Sequence, residues 1–171
     1  IYEKKGLARC LIVVPNPLVT NWINEFSIWF SAVKILKTSG NLENRNFYLE
    51  ESKGFQIITY EQIRNSFLVN HKIPNFDLVI FDEAQRIKND ASSTHMAASF
   101  INKNKAWMLT GTPLENNADD IVNIFNVLER GVVVKGSSNL EIKKAITPYL
   151  LRRKRQEILK DLPDLIEEDV Y

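Results

Sequence analysis

Asp82 and Glu83 stand side by side at the end of the run Asp77-Leu78-Val79-Ile80-Phe81, followed by the small Ala84 and the amide Gln85. Four consecutive apolar residues that stop abruptly on two acids suit a strand covered on both faces, as in a parallel sheet flanked by helices. Ligands of such sheets bind at the carboxyl ends of the strands, where both carboxylates would stand. Two adjoining acids there are costly unless a cation or an incoming water uses them. The chemistry that suits them is a magnesium–nucleotide site, with one acid near the metal and the other polarising water. Taken alone, the run also fits an ordinary strand end with two solvated acids.

The elements that must position this pair can be traced along the chain. Strand-like runs recur at Cys10–Val14, Phe55–Thr59, Leu78–Phe81 and Trp107–Thr110, with a weaker one at Val33–Thr38. Between them, Asn21 is placed to cap a helix in which Trp22, Phe26, Trp29 and Phe30 share one face, an aromatic stripe that suits core packing. Further helices are expected over Ser92–Ile101 and over Ala118–Leu128, the latter burying Ile121, Ile124, Phe125 and Leu128. The polar stretch Gly40–Glu51 reads as a surface loop or an irregular helix start. Glu129–Asn139 is the best boundary, and a helical tail over Leu140–Lys160 is broken at Pro148. Strands alternating with helices give an α/β domain with a largely parallel sheet.

Length and composition narrow the class. The 171 residues suit one domain with a real core, and 44% hydrophobic with 25% charged residues is ordinary for a globular protein. No apolar run approaches the roughly 20 residues needed to span a membrane. No export signal is visible from Ile1 onward, and an N-terminal segment is expected to precede it. The single cysteine, Cys10, excludes an internal disulfide and a cysteine metal cage, and its apolar run marks it as a core thiol. That usage is compatible with a reducing compartment. A net charge of +1 gives no whole-domain basic footprint for nucleic acid, so phosphate binding must rest on local features. The basic run Arg152-Arg153-Lys154-Arg155 fits either a solvated helix face or phosphate contacts. His71 and His95 lack metal-binding spacing and are expected at the surface, and Ser92-Ser93-Thr94 suits helix capping rather than a nucleophile.

Four further segments surround the acid pair in a definite order. They are Val13-Val14-Pro15-Asn16-Pro17-Leu18-Val19-Thr20-Asn21-Trp22, Ile57-Ile58-Thr59-Tyr60-Glu61 and Leu109-Thr110-Gly111-Thr112-Pro113-Leu114-Glu115-Asn116-Asn117, then Tyr149-Leu150-Leu151-Arg152-Arg153-Lys154 with Leu159-Lys160-Asp161-Leu162-Pro163. With Asp-Glu-Ala-Gln at 82–85, this series resembles the first motor lobe of the Swi/Snf-type ATPases, DNA translocases of helicase superfamily two, over residues 7–164. The Thr-Gly-Thr-Pro turn and the Leu-Arg-Arg segment favour that family over RNA helicases, which usually carry Ser-Ala-Thr at the turn. The resemblance implies an α/β fold, a three-layer P-loop NTPase (RecA-like) lobe with a largely parallel sheet flanked by helices, incomplete at its N-terminus. Residues 1–130 would form the truncated lobe. Residues 131–171 would form a helical extension and a linker, carrying Arg152 and Arg153, towards a second motor lobe.

The same resemblance implies roles. Asp82 would hold magnesium through water, and Glu83 would orient and deprotonate the water that attacks the γ-phosphate of ATP. Gln85 would link the nucleotide site to the turn of Thr110, Gly111 and Thr112, which would sense the phosphate state. Pro15, Asn16, Asn21, Thr59 and Tyr60 sit where the family contacts the backbone of duplex DNA. The sequence departs from the family in two places: the loop Gly-x-x-x-x-Gly-Lys-[Ser/Thr] is not among these residues, and neither is the second lobe with its arginine. The complete protein is therefore expected to be an ATP- and magnesium-using translocase or remodeller of duplex DNA, with no membrane partner. The piece alone is expected to be inactive and poorly stable. Competing readings are a docking lobe that has lost hydrolysis, or a motor lobe of an RNA helicase or restriction translocase. An intracellular site is expected, the nucleus in a eukaryote and the cytoplasm or nucleoid in a prokaryote. The short Leu128–Leu140 stretch and Glu115, where many eukaryotic members carry Gln, lean towards a prokaryotic, viral or divergent member.

Overall fold

Aliphatic strands build the centre of the molecule. The computed structural model describes residues 9–30, 33, 35–38, 40–51, 53–67, 74–111 and 118–151. Among these residues five strands, β1 (Arg9–Val14), β2 (Ile35–Lys37), β3 (Gly54–Thr59), β4 (Leu78–Phe81) and β5 (Ala106–Met108), lie in the order β2-β3-β1-β4-β5, and each of their pairings is parallel. The helices between them are α1 (Val19–Trp29), α2 (Leu42–Glu51), α3 (Tyr60–Phe67), α4 (Ser93–Phe100), α5 (Ala118–Leu128) and α6 (Asn139–Ile146).

Side chains alternate across a strand, so each central strand feeds two cores. Leu11, Val13, Ile58, Val79 and Phe81 point to one face and pack with Ile63, Ala97, Ala98 and Ile124 of α3, α4 and α5. Cys10, Ile12, Val14, Ile57, Leu78 and Ile80 point to the other and pack with Val19 and Phe26 of α1. These two covered faces make the three-layer α/β lobe expected from the apolar runs. A third cluster joins Val133, Ile142 and Ile146 to Val122 and Phe125 of α5, so α6 rests on the helix before it. Among the described residues no helix is long and apolar enough to cross a membrane.

Several local expectations are corrected. Helix α1 starts at Val19 rather than after Asn21, because a 3-10 turn over Asn16–Leu18 leads straight into it. Its aromatic stripe divides: Phe26 packs on Phe55 with ring centroids 4.7 Å apart, while Trp29 is 74% exposed and its indole donates to Glu25 one turn back. The polar stretch near Gly40 contains α2, which buries Leu49 and is started by the Asn41 side chain accepting from the Asn44 amide. His95 is buried, with Nδ1 2.6 Å from the carbonyl of Ile87, because its face of α4 packs on the core. Ser92 caps α4, accepting from the His95 amide. The tail helix ends at Ile146, where a 3-10 turn over Thr147–Tyr149 carries Pro148. His71, Thr112, Arg152, Arg153 and the rest of the expected tail lie outside the described residues.

Cys10 is wholly buried in β1, and burial, reinforced by the charge of Asp77, pushes its thiol from 9.0 up to about 11. The unfolded chain ionises near 9 and the folded one does not, so this group's contribution to stability is present below pH 9 and is lost as pH rises towards 11. We expect Cys10 to resist iodoacetamide at pH 8.5 until urea unfolds the protein. Mass spectrometry across the urea transition checks this, and rapid labelling without urea would contradict the burial.

Candidate active site

The acid pair leaves the sheet between two neighbours. Asp82 donates its amide to the carbonyl of Val13 on β1 at 2.9 Å, while Phe81 accepts from the amide of Leu109 beyond β5 at 2.8 Å. The chain must then turn at once, and Glu83 does so in the left-handed region, φ 51° and ψ 53°. For a residue other than glycine that conformation costs about 1–3 kcal/mol and persists only where the surroundings fix it. They do: the Ala84 amide donates to the Leu109 carbonyl at 2.9 Å, and a 3-10 turn over Ala84–Ile87 follows.

Each carboxylate is held by neutral donors. Asp82 accepts at Oδ2 from the Trp22 indole Nε1 at 2.7 Å and at Oδ1 from the Glu83 amide at 2.9 Å. Glu83 accepts at Oε2 from Gln85 Nε2 at 2.6 Å. Gln85 in turn accepts at Oε1 from the Thr110 hydroxyl at 2.8 Å, so two consecutive hydrogen bonds run from Glu83 to the turn after β5. Among the described residues the ion pairs are Arg86–Glu61, Lys88–Asp120 and Lys135–Asp90, and neither Asp82 nor Glu83 belongs to one. Among the described residues the donors to these half-buried carboxylates are therefore all neutral.

Magnesium fits this donor set. No group of three or more His, Cys, Asp or Glu side chains converges among the described residues, so an all-protein cage is not formed there. Magnesium instead takes one or two carboxylates and completes its shell with water and phosphate oxygens. Asp82, with one donor on each oxygen, keeps a lone pair on each for such water.

The remaining candidates are distributed unevenly. Asn16 and Asn21 face solvent, and Gly111 is exposed with nothing within 4 Å of where a Cβ would stand. Pro15 is buried and its carbonyl accepts from the Leu18 amide at 3.0 Å. Thr59 and Tyr60 turn inward. Thr59 Oγ1 accepts from the Gln62 amide at 3.2 Å while Gln62 Oε1 accepts from the Thr59 amide at 2.9 Å, a reciprocal box that starts α3. Tyr60 is 2% exposed and donates its hydroxyl to the carbonyl of Asp82 at 2.7 Å. Burial, then the Asp82 charge, pushes that hydroxyl far above its ordinary ionisation range, so it stays a donor.

Sequence reasoning missed three supports. Trp22 was expected to pack in the core, yet its N–H is aimed at Asp82; two residues on α4 and α5 clamp the turn that carries Gln85. His95 Nδ1 meets the Ile87 carbonyl, and buried Asn123 donates Nδ2 to the Lys88 carbonyl at 2.8 Å. The only signal for Asn123 was a polar residue within the apolar face of α5. Beside the site, a cleft of about 720 Å³ runs along the outer edge of β5, lined by Trp107, Met108, Leu109, Thr110, Phe125 and Leu150 among others.

A parallel sheet with an acid pair at its carboxyl edge, linked to a hydroxyl turn on the neighbouring strand, has the architecture of a RecA-like lobe. The SNF2-related domain family matches residues 1–171, and the chain belongs to it. It is 33% identical over 180 residues to an uncharacterized ATP-dependent helicase of Mycoplasma genitalium, covering 98% of this chain and 18% of that protein. It is 26% identical over 201 residues to the protein CHROMATIN REMODELING 4 of Arabidopsis thaliana, covering 99% of this chain and 9% of that protein. The chain thus spans a fifth or less of the length of these relatives. Its backbone is similar to the Sulfolobus solfataricus SWI2/SNF2 ATPase core in complex with dsDNA, with a TM-score of 0.77 at 24% identity over 94% of this chain and 37% of that one. At that identity the likeness speaks for the fold.

We expect Asn123→Ala to destabilise the protein by about 0.5–1.5 kcal/mol, because the Lys88 carbonyl loses its Asn123 donor. A shift of the urea midpoint reads the loss, and an unchanged midpoint would remove Asn123 from its clamping role.

Proposed function

We propose that the complete protein is a DNA-dependent ATPase that steps along duplex DNA, and that this lobe supplies its water-activating edge. The observation that carries the reading is the acid pair held by neutral donors, with Glu83 bent into the left-handed region and tied through Gln85 to Thr110. When bound, magnesium supplies charge neutralisation between the phosphates. Asp82 would face it through water. Glu83 would orient the attacking water towards the γ-phosphate and take its proton, giving ADP and phosphate with no covalent intermediate. Thr110, Gly111 and Thr112 would sense the change of phosphate state and pass it to the DNA groove, with Gln85 linking the nucleotide site to that turn. Asn16 and Asn21, exposed around the start of α1, would touch the DNA backbone. The similar Sulfolobus core is described in complex with dsDNA, which supports duplex DNA as the partner.

The open edge of β5 supports a further part of this reading. Among the described residues β5 pairs with β4 alone, and Trp107 within it and Leu109 just after it are 44% and 42% exposed. An apolar edge of this kind invites another strand. In the complete motor the strand and loop that grip the phosphates would pair there, beside Thr110. A second lobe would close the site from the far side, with residues 131–171 leading towards it and Arg152 and Arg153 in the linker. Such a motor works where DNA is, in the nucleus of a eukaryote or the cytoplasm and nucleoid of a prokaryote.

Glu83→Gln in the complete protein tests the assignment. Steady-state ATP turnover should fall by about a hundredfold or more while nucleotide affinity is kept. Turnover equal to the unsubstituted protein would take Glu83 out of its role. Stimulation of turnover by RNA and not by duplex DNA would replace the translocase reading with that of an RNA helicase.

A further inference from the structure

The geometry points to Trp22 as a positioning residue for the metal-facing acid, and as the route by which DNA engagement around the start of α1 is felt at Asp82. This rests on the readings above that Asp82 faces magnesium and that Asn16 and Asn21 touch the DNA backbone. An indole N–H is a donor only, so the 2.7 Å bond from Nε1 to Asp82 Oδ2 has one direction and fixes which carboxylate oxygen it occupies. Packing alone needs no N–H, since a phenyl ring would fill similar space. Here the donor leaves an apolar cluster built from Cys10, Ile12 and Val19, and ends on a carboxylate that belongs to no ion pair among the described residues. With the Glu83 amide on Oδ1 and the Tyr60 hydroxyl on the main-chain carbonyl, side chain and backbone of Asp82 are held separately.

The route to DNA is short. Trp22 follows the exposed Asn21 directly, and both stand on α1, which the 3-10 turn carrying Asn16 leads into without a break. A helix moves as a body, so DNA phosphates bound at Asn16 and Asn21 would move the indole with them. A hydrogen bond of 2.7 Å weakens steeply when its donor shifts or tilts. The Thr110–Gln85–Glu83 path touches the other acid and enters from β5, so the two paths reach the pair from opposite sides. Coupling of this kind is reciprocal: if DNA raises the affinity of the site for metal, metal raises the affinity for DNA by the same factor.

The test titrates Mg²⁺ into the complete protein with a fluorescent ADP, with and without a duplex oligonucleotide, and reads the Mg²⁺ midpoint of binding. In the unsubstituted protein duplex DNA should lower that midpoint. Trp22→Phe keeps a ring and removes the donor; the midpoint should rise about tenfold, the effect of losing one hydrogen bond to a charged group. DNA should no longer move it, and ADP affinity measured in EDTA should be unchanged. A variant whose midpoint and DNA shift match the unsubstituted protein overturns the inference, as does an equal loss of affinity with and without metal. If Trp22→Phe does not fold, the isostere whose indole N–H is replaced by sulfur keeps the shape, and it must reproduce the raised midpoint for the inference to stand. Absence of any Mg²⁺-dependent ADP binding in the unsubstituted protein overturns the motor reading itself, and this inference with it.

Discussion

The parallel register of β4 on β1 is the constraint from which the site follows. It ends with the Asp82 amide on the Val13 carbonyl, while on the other side Phe81 is still bonded to Leu109. The backbone is therefore held by both neighbours up to the residue where it leaves the sheet. A turn that begins from so fixed a point has few conformations open to it, and Glu83 takes one that a free chain seldom visits. The cost is met by the rigidity of strands covered on both faces, so the placement of one carboxylate depends on cores built from Leu11, Val13, Ile12 and Ile80.

What surrounds the acids is as informative as the acids themselves. A pair of carboxylates serving only the fold would be expected to find an arginine or lysine. Here the described partners are an indole, a backbone amide and a side-chain amide, all neutral. Neutral donors stabilise the ionised form and set its direction without cancelling its charge. The apolar edge of β5 complements this: the half-buried acids stand at the carboxyl end of the sheet, and beside them lies a strand that, among the described residues, pairs on one side alone.

The parts of this lobe that were legible in the sequence are those whose signal is local. Cys10–Val14 and Leu78–Phe81 are apolar runs that can be little else than doubly covered strands, and both stand as expected. Helix α5 declared itself through Ile124 and Phe125, but its buried face is rotated from the expected one: Val122, Asn123 and Val127 are buried, while Ile121 and Leu128 are only partly so. Helix α2 was hidden because it buries little besides Leu49 and shows no apolar period. Helix α3 was hidden differently: Thr59 and Gln62 carry the spacing of a capping box, but Thr59 and Tyr60 also match a family contact segment, and that reading overshadowed the cap. His95 and Trp22 show the limit most clearly. A histidine on a helix face and a tryptophan in an aromatic stripe are ordinary residues until the fold brings a carbonyl or a carboxylate within 2.7 Å of their ring nitrogens.

The choice of a side-chain amide at position 85 has a consequence for how this edge can work. Gln85 accepts from Thr110 with its oxygen and donates to Glu83 with its nitrogen, so the two bonds share one rigid planar group. A displacement at Thr110 is transmitted as a rotation of that plane, and no proton needs to move along the path. A histidine at the same place could change its charge near neutral pH and would add a cation beside Glu83 whenever it did. The amide orients Glu83 without ever altering the charge of the site, so under the proposed function a relay from the turn would act through geometry alone.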